Sequence, residues 1–316
     1  MTTAPHRIDT HHHFLPPDYV RIVGDEPIAS LIVTNKVPDW TPARSVEVMD
    51  RHGIATSVLS MSAPGICLDD TDAARALCRH CNEYAARMQS DHKGRFGLFA
   101  CLPLPDIDGS LSEIAFALDE IKAAGIGLLT SYDGRYPGDP AFAPVFDELN
   151  RRKAIVYFHP AAPTCSQCLG FIPAATLEFP FDTTRAITSL LFSGTFARCP
   201  DIRFIFSHAG GTVPFLAERI ARLEMRPEFR HHVPRGSLTE LRRLYFDTAL
   251  SANVHAFSAM RTLLPDNNIL FGSDYPFAPE ATTTATVKGL ASLGLSPDIL
   301  RKVERENALT LMPQLA

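Results

Sequence analysis

The chain has 316 residues, 46% of them hydrophobic, and a net charge of −5 with acids and bases interspersed. That is enough apolar material for one large α/β barrel or one to two smaller domains. The lack of a long basic run argues against nucleic acid or an anionic membrane surface as partner.

No apolar leader opens the sequence, and no run nears the roughly 18 apolar residues of a membrane span. The seven cysteines, odd in number and scattered, suit reduced thiols in the cytoplasm.

In chain order, "RIDTHHH" (7–13) reads as the first strand. Residues 14–40 follow as an irregular insertion, the kind of long loop that serves as a lid or pocket wall. "TPARSVEVMDRHG" reads as a helix with Thr41 as cap, Pro42 at its first position and Gly53 as stop. "TSVLSM" (56–61) is the second strand. "DDTDAARALCRHCNEYAARM" places Leu77, Cys78, Cys81, Tyr84, Ala85 and Met88 on one buried helical face. After the strand "RFGLFACLP" (95–103), "SLSEIAFALDEIKAAG" is expected to open with a capping box, Ser110 to Glu113, and to close at Gly125. Strands are then expected in "GIGLLTSY" (125–132) and "AIVYFHP" (154–160), with a loop at 161–181 beside the active site. The last three are "RFIFSHAG" (203–210), "LYFDTAL" (244–250) and "NILFGSDYP" (268–276).

Several of these strands are near-continuous apolar runs, as in a parallel sheet buried on both faces. Eight of them alternating with helices predict a (β/α)8 TIM barrel, one domain over residues 1–316. A doubly wound open sheet is the competitor. Against it, the first βα turn, "HHHFLPP", holds no glycine-rich phosphate loop.

In a barrel the chemistry sits at the C-terminal ends of the strands. His11 to His13 end the first strand, His159 the fifth, His208 the sixth and Asp274 the eighth. Singly, each is an ordinary core or surface residue; together they point to a metal site. Side chains alternate along a strand, so His11 and His13 share a face and His12 points to the outer layer. With His159 and Asp274 they supply three nitrogens and one carboxylate, a set suited to zinc or another first-row divalent ion with a position left for water or substrate.

His208 lies in "FSHAGGTVPF", where Gly210 and Gly211 permit a tight turn, Thr212 can cap and Pro214 suits the first helical turn. It is a candidate general base, with a fifth ligand or a hydrogen-bond partner of the site as alternatives. The fourth strand ends in Thr130 and Ser131, where a two-metal site would need a bridging carboxylate; Asp133 lies close by. A single metal is the better reading.

Other features weigh less. The C-x-x-C pairs Cys78/Cys81 and Cys165/Cys168 lack the context of a structural zinc. "RPEFRHHVPR" (226–235) reads as a solvated or interface loop. Asp247 either supports the metal shell or His208, or caps the next helix. Arg185 either binds substrate or pairs with Asp182.

"DTHHHFLP", "VYFHPAAP", "FIFSHAGG" and "LFGSDYPF" resemble the signatures of the amidohydrolase superfamily, and within it the single-metal decarboxylases of aminocarboxymuconate-semialdehyde, γ-resorcylate and 6-methylsalicylate. The likeness runs from about residue 7 to "ENALTL" (306–311), and "NEYAARM" and "FPFDTTRA" look closest to the 6-methylsalicylate group. It implies one zinc or manganese per subunit on His11, His13, His159 and Asp274, with His208 catalytic. It also implies a homodimer at least, with Arg219 reaching a neighbouring subunit's site to hold a substrate carboxylate, and Phe277 packing on the substrate ring. The dicarboxylate-specific member has an arginine before the W-x-P that here is Trp40 to Pro42. This chain has only Lys36 nearby, so a monocarboxylic hydroxy-aromatic acid is expected.

The leading expectation is decarboxylation of a 2-hydroxybenzoate-type acid. Its ring would lie against Phe277 or Phe14, and its proton would come from Asp274 through exchange with His208 or a metal-bound water. The alternative order is that metal-bound hydroxide adds to the substrate first, with His208 as its base. Hydrolysis of a lactone or amide by the same residues is the rival reaction, and a metal-stabilised binding protein a third reading.

Overall fold

A computed structural model describes residues 6–66, 68–163 and 169–316. Eight parallel strands lie side by side in chain order: β1 (Arg7–His13), β2 (Ile54–Ser60), β3 (Phe96–Ala100), β4 (Gly125–Leu129), β5 (Ile155–His159), β6 (Arg203–Phe206), β7 (Tyr245–Asp247) and β8 (Ile269–Leu270). The sheet comes round to its start just past β8. There the Thr10 N–H donates to the Phe271 carbonyl at 2.9 Å and the His13 N–H to the Tyr275 carbonyl at 2.7 Å. This is the expected (β/α)8 barrel.

Strand alternation builds the two layers. In β5, Ile155 and Tyr157 face the barrel interior with Ile8, Val58, Phe99, Ile205 and Leu270, while Val156 and Phe158 face the outer helices. Ala308 and Met312 of the C-terminal segment join the interior cluster. Burying each such aliphatic or aromatic side chain contributes roughly 1.5–3 kcal/mol. β1 is irregular: its register shifts between Asp9 and His12. That shift lets Ile8 and His11, which a regular strand would turn to opposite faces, both face the interior.

The Pro42–Arg51 helix is capped as predicted, with the Thr41 hydroxyl accepting from the Arg44 N–H at 3.2 Å and Gly53 at φ +63°. The Thr71–Asp91 helix buries Leu77, Cys78, Cys81, Ala85 and Met88, with Tyr84 packed at its edge. Other expectations are corrected. The Ile107–Ala115 helix begins earlier than its predicted capping box: Asp106 caps it, and Glu113 instead takes Arg79 and Asn82. Gly125 does not stop it but opens β4, where an added Cβ would sit 2.5 Å from the Ile155 carbonyl.

Residues 14–40 are not irregular throughout; they contain the helices Pro17–Val23 and Asp25–Ala29. Within 161–181, residues from 174 on are the start of the Ala174–Phe192 helix rather than loop. Cys165 and Cys168 lie outside the described residues. β6 and β8 are shorter than predicted, so His208 and Asp274 stand in the turns beyond them.

Candidate metal centre

At the C-terminal mouth the predicted donors converge. Nε2 of His11 lies 3.0 Å from Nε2 of His13. Oδ1 of Asp274 is 3.0 Å from the former, 3.1 Å from the latter and 3.9 Å from Nε2 of His159. His208 stands on the other side of the carboxylate, its Nε2 3.4 Å from Asp274 Oδ2. One ligand atom each from His11, His159, His208 and Asp274 fall within 4.8 Å of one another. His12 points the other way, into the layer between β1 and the Pro42–Arg51 helix, with its Nε2 3.0 Å from Ser45 Oγ.

The outer ring nitrogens differ among these histidines. Nδ1 of His11 is held by Asp247 at 2.9 Å, Nδ1 of His13 by the Ser60 carbonyl at 3.0 Å, and Nδ1 of His159 by the Pro160 carbonyl at 3.0 Å. Each such bond places a proton on Nδ1 and leaves Nε2 pointing inward, the usual support for a metal-ligating histidine. Nδ1 of His208 is buried and has no hydrogen-bond partner among the described residues. Its tautomer is therefore not tied. On this ground His11, His13, His159 and Asp274 fit a divalent cation, and His208 fits a proton carrier beside it.

The charges agree. Burial opposes a proton on His11, but Asp247 and Asp274 outweigh burial and push its pKa up to about 10. Burial and the neighbouring imidazoles push His159 well down, and burial also lowers His13. Burial works against the Asp274 charge, yet His11, together with hydrogen bonds from His11, His13 and His208, holds its carboxyl well below the usual range.

Two turns put these groups in place. His208 and Ala209 have φ of +51° and +60°, followed by Gly210 and Gly211 in the same left-handed region. A Cβ on Gly210 would strike the Phe246 ring, and one on Gly211 the Pro180 carbonyl. Asp274 also has positive φ, +62°. Thr212 precedes the Val213–Ala221 helix without capping it; its hydroxyl meets Thr184 Oγ1 at 2.8 Å instead.

Asp247 supports the site, as one of its two readings expected, while the next helix, Val254–Leu263, is capped by Asn253 instead. Besides holding His11, it accepts the backbone N–H of His208 at 3.0 Å and of Ala249 at 3.0 Å. Arg185 lies 3.6 Å from Asp182, whose carboxylate also accepts Thr130 and Tyr136.

The cluster opens into a cavity of about 650 Å³. Its walls are mainly apolar, with Leu31 to Val33 from the insertion, Phe179 from the Ala174–Phe192 helix, and Leu250 and Phe277. Among the described residues no lysine or arginine lines it. Phe277 packs edge-on against His13, ring centroids 5.3 Å apart. Phe14 is not in this wall; it is 1% exposed within the outer core. Arg219 is exposed on the Val213–Ala221 helix and does not reach the cavity of its own chain. Phe179 and the 31–34 wall fall inside the two segments, 161–181 and 14–40, expected to border the site, although no local signal singled out those residues. Sequence reasoning missed Asp9, Ser60 and Ser273, whose only signal is their place beside the histidines and Asp274.

Comparison with known proteins points one way. The amidohydrolase family matches residues 8–313. Decarboxylase yanB of Aspergillus niger is 36% identical over 98% of this chain and 88% of its own. The 6-methylsalicylic acid decarboxylase acuB of Aspergillus aculeatus is 35% identical over 98% and 96%. A solved structure named Amidohydrorolase II superposes with a TM-score of 0.89 at 27% identity, over 97% of this chain and 99% of that one.

Proposed function

The chain belongs to the amidohydrolase family, and we propose that it is a metal-dependent carboxy-lyase that releases CO₂, without oxidation, from a hydroxy-aromatic carboxylic acid. The observation that carries this is the inward-facing set of three imidazole nitrogens and Asp274 at the floor of an apolar cavity. The relatives named above are decarboxylases, and one acts by name on 6-methylsalicylic acid, which makes that acid the first substrate to test. A wall without lysine or arginine supports one carboxylate rather than two. Hydrolysis of a lactone or amide gains no support from these relatives.

His11, His13, His159 and Asp274 would hold the ion. The donor set favours zinc, with manganese the second choice. When bound, the cation would draw the carboxylate and the adjacent phenolic oxygen of the substrate to itself and withdraw charge from the ring. The protein then has two tasks. Phe277, fixed against His13, bears on the face of the ring and orients the ring carbon carrying the carboxylate. Asp274 delivers a proton to that carbon; the bond to the carboxylate breaks and CO₂ leaves as the ring recovers its aromaticity. A carboxyl held this acidic does not store the proton at rest, so His208, 3.4 Å away, supplies it.

Beyond the site, we read residues 1–316 as one domain, with segment 14–40 and the part of 161–181 that is described as cavity walls. Arg219, exposed beside Phe215, is assigned to the neighbouring subunit's site in a homodimer. The buried, reduced Cys78, Cys81, Cys101 and Cys199 suit the cytoplasm.

The test is metal analysis of the purified protein combined with CO₂ release from salicylate, 6-methylsalicylate, resorcylates and orsellinate. We expect one divalent ion per chain and turnover that a chelator abolishes and added metal restores. His208→Asn, with metal retained, should lower kcat by about 100-fold or more. No bound metal and no response to added metal would overturn the reading.

A further inference from the structure

Asp9 takes no part in the chemistry above, yet it is fully buried and accepts four hydrogen bonds. Its Oδ1 accepts the backbone N–H of His11 at 3.1 Å and of Ser273 at 3.0 Å. Its Oδ2 accepts the Ser273 hydroxyl at 2.6 Å and lies 3.0 Å from His12 Nδ1. Every one of these donors belongs to a member of the metal cluster or to its immediate neighbour in sequence.

The chain of bonds has a direction. The Trp40 indole, which can only donate, gives its N–H to Ser45 Oγ at 2.8 Å. Ser45 keeps its own proton for His12 Nε2, 3.0 Å away. His12 must then carry its proton on Nδ1 and turn it to Asp9. On the far side, Ser273 Oγ accepts the Tyr275 N–H at 3.1 Å, and the Asp274 N–H closes the loop on the His11 carbonyl at 2.8 Å.

We propose that His12 and Asp9 form a positioning unit that clamps the Asp274 turn to the His11–His13 strand, so that His12 sets metal affinity and proton delivery without touching the metal. The physical need is plain. Asp274 sits in the left-handed region at φ +62°, a strained conformation for a residue with a side chain, which persists only where its surroundings impose it. Both polar hydrogens of the preceding residue, Ser273, are tied to Asp9. Removing the His12 bond leaves a buried carboxylate short of one donor, and the least expensive relief is for that carboxylate, and Ser273 with it, to shift. Asp274 follows, because it is next in the chain.

The inference rests on the metal-site reading above but not on the identity of the acid. The test uses the full-length protein, with zinc or manganese as titrant in calorimetry, together with Tm and steady-state kinetics at saturating metal. His12→Leu should still bind one metal, with Kd raised 10- to 100-fold. Its kcat should fall about tenfold while KM stays within twofold. His12→Asn, whose side-chain amide can donate close to where Nδ1 does, should recover most of both losses. Ser273→Ala cuts the same link from the other side with little change in volume and should reproduce them, which covers the case that His12→Leu does not fold.

Wild-type Kd and kcat in folded His12→Leu or in Ser273→Ala, with only Tm lowered, would overturn the proposal. So would a His12→Asn protein no better than His12→Leu. If the wild-type protein binds no metal, both readings fall; if wild type and variants bind it equally, only this one does.

Discussion

His11 stands between two buried carboxylates, Asp247 at 2.9 Å and Asp274 at 3.0 Å, and a positive charge between them is what holds them together. In the metal-free protein that charge is the imidazolium, with its pKa raised from 6.5 to about 10. A pKa raised by folding gives stability that is full below about 6.5 and lost as pH rises through about 10. The Tm of chelator-treated protein should therefore fall across that window, and the fall should flatten once metal is restored. Metal entry must expel the proton, so calorimetry in buffers of different ionisation enthalpy should show about one proton released per ion at neutral pH. His11→Ala and His13→Ala should each lose metal on dialysis, whereas His12→Ala should still bind one ion at saturating concentration.

The elements that matter most are the turns after β6 and β8. Four successive residues, His208 to Gly211, have positive φ, which turns the chain sharply at the barrel rim and leaves the His208 ring beside Asp274. The glycines in "HAGG" announce a turn, and that much is readable. That His208 itself takes the left-handed conformation is not, because the Asp247 carboxylate that holds its N–H comes from another strand, 39 positions away. We expect Gly211→Ala to destabilise the protein by about 1–3 kcal/mol, since the Pro180 backbone cannot yield as a side chain would. Thermal unfolding measures that loss. The kinetic mark should be a kcat lowered with metal content unchanged. The same reasoning explains the misplaced helix ends: Asp106 outcompetes Ser110 as a cap because Glu113, needed for the capping box, is taken by Arg79 and Asn82.

At the scale of the whole molecule, the test is whether a second copy completes the cavity. Its own walls supply apolar surface and, among the described residues, neither lysine nor arginine. Arg219 is on the outside, on the helix that follows the His208 turn, four residues from Phe215, which is 86% exposed. If a second copy receives Arg219, activity should be recoverable by mixing two inactive chains. His208→Asn and Arg219→Ala subunits, dissociated and reassociated in equal amounts, should regain about a quarter of wild-type sites, because half the dimers are mixed and one of their two sites is intact. No recovery from a mixture shown to exchange subunits would remove Arg219 from the site.

The sequence alone determined the barrel and the roster of donors. Apolar runs of strand length between helical periods can pack as a parallel sheet in few ways, and metal-competent residues closing those runs are then carried to one rim. The alternation of a strand also separated His12 from His11 and His13. What only the tertiary structure decided is how the donors meet. The shift in β1 that brings His11 inward, the partners that leave only Nε2 of His11, His13 and His159 free to bind, and the Asp9 network that joins the first strand to the last turn all depend on residues up to about 260 positions apart. Phe14 shows the same limit from the other side. It follows His13 directly in the sequence, yet packing against the outer helices takes it away from the cavity that His13 faces. Local pattern fixes which face a residue offers, but only the closed barrel brings that face to a neighbour.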